Sequence, residues 1–138
     1  MSSMSRPDER SDARERALYL LYEAHSKGIS PGDALSLQVL EPDELTRMLV
    51  GGVEEHLDEL DAAIERRATG WSLKRMPVLD LNVLRLGAFE LQERPDVPVA
   101  VVIDEAVELA KRFSTDDSGK FVNGVLSALI SELRPTAD

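Results

Sequence analysis

At 138 residues, 43% hydrophobic and 30% charged, the chain can bury one sizeable core and is too short for two ordinary domains. The absence of cysteine rules out disulfides and thiolate metal sites, and His25 and His56 stand far apart with no ligand pattern around them, so neither a metal nor another cofactor is expected. Sixteen basic side chains against 26 acidic ones give a formal net charge of −10, which repels phosphate overall and demands a local basic patch or a basic partner if nucleic acid is to bind.

The opening MSSMSRPDERSD lacks the apolar centre of a signal peptide and reads as a flexible arm, residues 1–12. ARERALYLLYEAHSKG (13–28) places Ala13, Ala17, Leu20, Leu21 and Ala24 on one helical stripe and ends at Gly28, the residue type that closes helices. SPGDALSLQ predicts a short second helix, capped by Ser30 with Pro31 in its first turn. From Pro42 to about Thr69 the apolar positions Leu45, Leu49, Val53, Leu57, Leu60 and Ile64 keep helical spacing, which predicts one long helix. Its Gly51-Gly52 pair weakens the local propensity and points to close approach of a neighbouring helix, or else to a slight bend.

Pro77 opens VLDLNVLRLGAFELQER, apolar nearly all round and so predicted to be the central helix. RPDVP breaks it. VAVVIDEAVELAKRF then turns Val99, Val102, Ile103, Ala106, Leu109, Ala110 and Phe113 inward as a further helix; a lone VAVVI strand has nothing to pair with. STDDSG supplies the connection, with Asp116, Asp117 or Ser118 as candidate caps for the last helix. In that helix KFVNGVL contains a hairpin-type Asn-Gly pair, but the recurrence of Phe121, Val122, Val125, Leu126, Leu129, Ile130 and Leu133 is helical. Gly124 is then expected to admit a close neighbour, and Asn123 to bridge a backbone or RNA.

The expected fold class is all-α, a compact single-domain bundle of about six to seven helices. Its N-terminal half spans 13–70 and its C-terminal half 71–138, with Trp71 expected as a core anchor between the long helix and the central one. The longest apolar run, Val97 to Ile103 with Pro98 inside it, is far short of a membrane span, so a soluble cytoplasmic protein with no membrane contact is expected. Catalysis has little support, because the acidic EEHLDELD reads as a solvated helix face and no nucleophile, base and orienting group form a motif.

GWSLKRMPVLDLNVLRLGAFEL followed by VPVAVVIDEAVELAKRFSTDDSGKFVNGVL resembles the NusB family of bacterial transcription antitermination factors, and ARERALYLLYEA is similar to that family's first helix. The resemblance implies two packed helical subdomains and no catalytic activity. It also implies binding of the boxA segment of ribosomal-operon leader RNA together with the ribosomal protein NusE, within an antitermination complex on RNA polymerase. Carried over residue by residue, it places an arginine-rich RNA-binding segment at Arg10, Ser11, Asp12 and Arg14 with Arg16 nearby. Ser11 and Asp12 stand where the family commonly has arginine. The family's remaining RNA contacts correspond to Asp117, Lys120 and Phe121, with Tyr22 at an aromatic position of the first helix and Asn123 as a further candidate; Asp80 matches an acidic position on the NusE-facing surface.

Physical chemistry leaves each of these residues two uses. Phe121 can be core or a stacking platform, Tyr22 can cap the core with its hydroxyl wet or present its ring to a base, and the arginines can pair with Asp12 and Glu15 or hold phosphate. The chain as a whole also fits a pure interaction module or a homodimer that masks its RNA face. A third reading, the accessory domain of a ribosomal-RNA methyltransferase, lacks the catalytic domain it would need within these residues.

Overall fold

The computed structural model describes residues 7–136, and these form seven α-helices and one 3-10 turn. In chain order they are α1 (Pro7–Lys27), α2 (Pro31–Ser36), α3 (Glu44–Glu55), α4 (Leu57–Arg67), the 3-10 turn Leu73–Arg75, α5 (Val78–Glu93), α6 (Val99–Phe113) and α7 (Asp116–Leu133). α1, α2 and α3 pack on one another, α5, α6 and α7 do the same, and α4 lies against α5 and α7. The hub is α5, which touches α1, α3, α4, α6 and α7 and buries residues on every side, as its all-round apolarity predicts.

Several local signals act as read. Gly28 adopts φ +67 past the end of α1, and the Ile29 N–H reaches back to the Ala24 carbonyl at 3.0 Å. Ser30 caps α2 by accepting from the Asp33 N–H at 3.0 Å, with Pro31 first in the helix. VAVVI is helical.

Three boundaries differ from expectation. Of the arm expected at 1–12, residues 1–6 lie outside the described residues, whereas 7–12 are helical: Pro7 suits the first position of a helix, and Ser11 ties this turn down by donating to Glu105 at 2.6 Å. The long helix is two helices. His56 leaves helical geometry (φ −106, ψ 16), and the chain turns from α3, packed on α1 and α2, to α4, packed on α5 and α7. Apolar spacing continues across that single residue, so periodicity alone cannot show the break. Finally, Thr115, extended at φ −133 and ψ 167, caps α7 by accepting from the Ser118 N–H at 3.0 Å. Asp116 and Asp117 instead occupy the first turn, where the helix dipole favours negative charge.

Gly52 answers the Gly51-Gly52 question. The Phe89 ring lies where a side chain at 52 would stand, so α3 and α5 meet through this glycine, while Gly51 faces open space. Beside that contact the His56 ring lies 6.0 Å from Phe89. The His56 pKa is raised above its ordinary 6.5, first by the hydrogen bond to Glu59, then, against the cost of burial, by the charges of Glu93, Glu59 and Glu55. A raised folded-state value stabilises the protein fully below the unfolded pKa, and the contribution is lost as pH rises through the folded one. The melting temperature is therefore expected to fall as pH rises from about 6.5, and less so for His56→Gln, in thermal melts across that range. A wild-type and a variant with parallel profiles would remove His56 as the cause.

The far end of α5 is closed by Arg134, just past α7. Its buried guanidinium donates to four backbone carbonyls, those of Glu90, Leu91, Arg94 and Val97. Among the described residues the Leu91 and Val97 carbonyls have no backbone donor at this helix end, while those of Glu90 and Arg94 also accept from the N–H groups of Arg94 and Val97, each at 3.0 Å.

Candidate nucleic-acid interface

The first turn of α7 is fixed from below. Ser118 is buried, and its hydroxyl donates to Asp80 Oδ2 at 2.9 Å, linking the start of α7 to the start of α5. Val122, Val125, Leu126 and Leu129 then face the core, and Leu126 packs on Gly87 of α5. The 3.6-residue period leaves Asp117, Lys120, Asn123 and Gly124 exposed, with Phe121 half-buried at the rim.

Lys120 has no ion-pair partner among the described residues. Asn123 accepts from the Ser127 hydroxyl at 3.2 Å, which leaves its two amide N–H donors unused among the described residues. Beside them runs an open groove of about 400 Å³ lined by Val107, Lys111, Asp116, Gly119, Lys120 and Asn123. An aromatic ring, cations and free amide donors along one helix face are the groups that hold single-stranded RNA.

Gly124 does not behave as the sequence suggests, because nothing lies within 4 Å of where its side chain would be. No neighbouring helix approaches there. Gly124→Ala is therefore expected to raise stability by about 1 kcal/mol through helix propensity, read as a higher urea midpoint; a lower midpoint would reveal a backbone requirement at this position.

The expected arginine segment divides. Arg14 is only 3% exposed, with Nε donating to Glu90 Oε1 at 2.7 Å and Nη2 to Glu90 Oε2 at 3.0 Å, while Nη1 lies 3.4 Å from Glu105. Burial opposes its charge, yet the hydrogen bonds and charges of Glu90 and Glu105 outweigh that cost and its pKa is raised. Arg14 is thus a structural ion-pair residue and not a phosphate contact: helical periodicity puts it on the inward stripe next to Ala13 and Ala17. Arg10 and Arg16 are half-exposed, Arg16 donating to the Leu40 carbonyl at 3.2 Å. Glu15 pairs with Arg112 at 3.0 Å and not with an arginine of its own helix.

Asp80 requires a second correction. Expected on a partner-facing surface, it is 4% exposed, with Oδ2 accepting from Ser118 and Oδ1 buried without a partner among the described residues. Trp71 requires a third: expected in the core, it is 48% exposed and lies against Phe121, ring centroids 6.0 Å apart and planes at 59°. The chain leaves α4 at Arg67 and must run back along α7 to reach α5, which carries Trp71 across the outside of the bundle.

α1 lies alongside α6, as Ser11 and Arg14 meet Glu105, Glu15 meets Arg112, and Tyr19 meets the Phe113 ring edge-on at 5.5 Å and 68°. The tyrosine end of α1 therefore faces the junction of α6 and α7. Tyr22, one turn further on, is 43% exposed, and Tyr19, which falls off the apolar stripe, is 56% exposed. Arg10 sits twelve residues before Tyr22, about 18 Å along the helix, so it is not gathered into one compact site with the α7 face. Among the described residues no group of acidic or histidine side chains could hold a metal ion, and no helix is long and apolar enough to cross a membrane.

The comparisons with known proteins agree with one another. The model of the NusB family matches residues 11–131. The transcription antitermination protein NusB of Streptomyces avermitilis is 43% identical over 136 residues, covering 92% of this chain and 94% of its own, and that of Saccharopolyspora erythraea is 49% identical over 126 residues, covering 87% and 85%. Among solved structures, T. maritima NusB superposes with a TM-score of 0.79 at 34% identity, covering 94% of each chain. A chain from a complex of the antitermination factors NusB and NusE with double-stranded RNA gives 0.79 at 30% identity, covering 92% of this chain and 99% of its own.

Proposed function

The chain belongs to the NusB family, and from that premise we propose that it is a transcription antitermination factor that binds boxA leader RNA together with the ribosomal protein NusE. It acts as a non-catalytic adaptor in the cytoplasm, joining the RNA and NusE to the elongating polymerase. The observation that carries the RNA role is the exposed face of α7, on which Lys120, Phe121 and Asn123 stand together above a buried anchor. Asp117 precedes that face in the first turn of α7, and Tyr22, Arg16 and Arg10 on α1 are the further contacts this reading assigns to RNA.

A basic ribosomal protein is attracted by the net charge of −10, and complementary fields raise the rate of association. With Asp80 buried, one exposed acidic group on offer is Glu54, Glu55, Asp58 and Glu59 with Glu93, of which Glu55 and Glu93 line a groove of about 630 Å³ together with Phe89 and Gly52.

Two substitutions separate stacking from packing. Phe121→Ala is expected to lower boxA affinity by about 1–3 kcal/mol while costing less stability than the 3–5 kcal/mol or so of emptying a fully buried Phe site. Val125→Ala, on the buried stripe, is expected to destabilise by about 1–3 kcal/mol and leave the affinity of the folded fraction unchanged. Urea midpoints and RNA titrations of both variants decide the matter. A large loss of stability by Phe121→Ala with unaltered RNA affinity would return the ring to the core.

A further inference from the structure

Residues 66–79, RRATGWSLKRMPVL, carry four basic side chains and no acidic one in a protein of net charge −10. Arg66 and Arg67 are engaged by Glu132 of α7. Lys74 and Arg75, on the exposed 3-10 turn, have no ion-pair partner among the described residues. The segment is pinned to the start of α7 on both sides, by Trp71 against Phe121 and by Asp80 against Ser118. The turn between those two anchors is therefore held at the same end of α7 as Lys120. Trp71, the chain's only tryptophan, is half-exposed, and its ring is tilted against Phe121 so that the contact leaves indole surface open to solvent.

We infer that this segment forms a second wall of the RNA site: Trp71 stacks a base of single-stranded RNA beside Phe121, and Lys74 and Arg75 hold the adjoining phosphates. The inference rests on the RNA-binding reading above and extends it to residues on the α4–α5 connection. An exposed aromatic beside unpaired cations is the combination that binds single strands, because stacking tolerates any base while the cations follow the backbone. It also gives an acidic chain with Ser11 and Asp12 in its N-terminal segment two further cations for phosphate, on the connection that Trp71 holds against Phe121.

The test is a titration with a fluorophore-labelled boxA single strand, followed by anisotropy, on the protein alone and with NusE bound. Trp71→Ala is expected to weaken binding about 5- to 150-fold, with Trp71→Phe close to wild type and the urea midpoint of both little changed. Lys74→Gln with Arg75→Gln is expected to make the log–log salt slope shallower by about 1.4, two phosphates at about 0.7 each for a single strand. In the unmodified protein, unlabelled boxA RNA is expected to change the emission of Trp71, which needs no variant to fold. RNA that binds with unchanged tryptophan emission and equal affinity for Trp71→Ala, while Phe121→Ala weakens it, overturns the inference and leaves the RNA reading standing. Failure of wild type to bind, with or without NusE, overturns both.

Discussion

Arg134→Ala is expected to destabilise the protein by about 3–5 kcal/mol, the range in which losses of a buried charged network fall. One side chain serves four backbone carbonyls, and alanine leaves those of Leu91 and Val97 without a donor, takes a second donor from those of Glu90 and Arg94, and empties a packed junction or admits water to it. Against a total stability of about 5–15 kcal/mol for a domain of this kind, that is a fifth or more of the whole. Arg134→Lys is expected to recover only part, since an ammonium is a compact point and cannot span the carbonyls that the planar guanidinium forks between. Denaturant melts of the three proteins provide the measurement; a loss below about 1 kcal/mol would mean that water replaces the guanidinium at little cost.

The second large effect is expected at the pair between α1 and α5. Glu90 is held by both Arg14 and Arg94, and with the carboxylate removed Arg14 keeps only its longer contact to Glu105. Glu90→Leu alone is therefore expected to cost about 3–5 kcal/mol, because a buried guanidinium loses its closest counter-charge. Arg14→Met combined with Glu90→Leu is expected to regain most of that loss, since apolar side chains of similar volume replace a buried pair at little net cost. The double variant also tests the corrected role of Arg14: its RNA affinity is expected to equal that of wild type. A double variant as unstable as Glu90→Leu would show that the site cannot repack, and a loss of RNA affinity would return Arg14 to the binding surface.

Most of the bundle was readable because helix stripes and caps are local. Gly28, Ser30 with Pro31, and the all-round apolarity of α5 each state their role within a few residues. The departures are residues whose role is set by distant partners. Arg14 looks like a surface cation until Glu90, 76 residues away, is seen to receive it. Trp71 looks like a core anchor because tryptophan is large and apolar, but the return path from α4 to α5 runs outside the bundle. Gly52 and Gly124 are indistinguishable as letters; the ring of Phe89 fills the space over one and nothing fills the space over the other. In the candidate site, helical spacing leaves Phe121 between core and surface and it is the family resemblance that singles out Asp117, Lys120 and Phe121, whereas the seating of that helix by Asp80 and Ser118 depends on a contact across 38 positions.

The Arg134 clamp also bears on how the protein is made. The carbonyls it holds belong to residues 37 to 44 positions earlier, so they leave the ribosome well before the side chain that pairs them. At synthesis rates of about 5–20 residues per second, the α5–α6 junction waits seconds for its lock. During that interval the helical hairpin is open to proteases and to chaperones. A nonsense mutation or trimming event at residue 134 spares every helix of the described residues, yet leaves the chain in that open condition permanently; such a product is expected to be cleared from the cell although the whole exposed face of α7 is present.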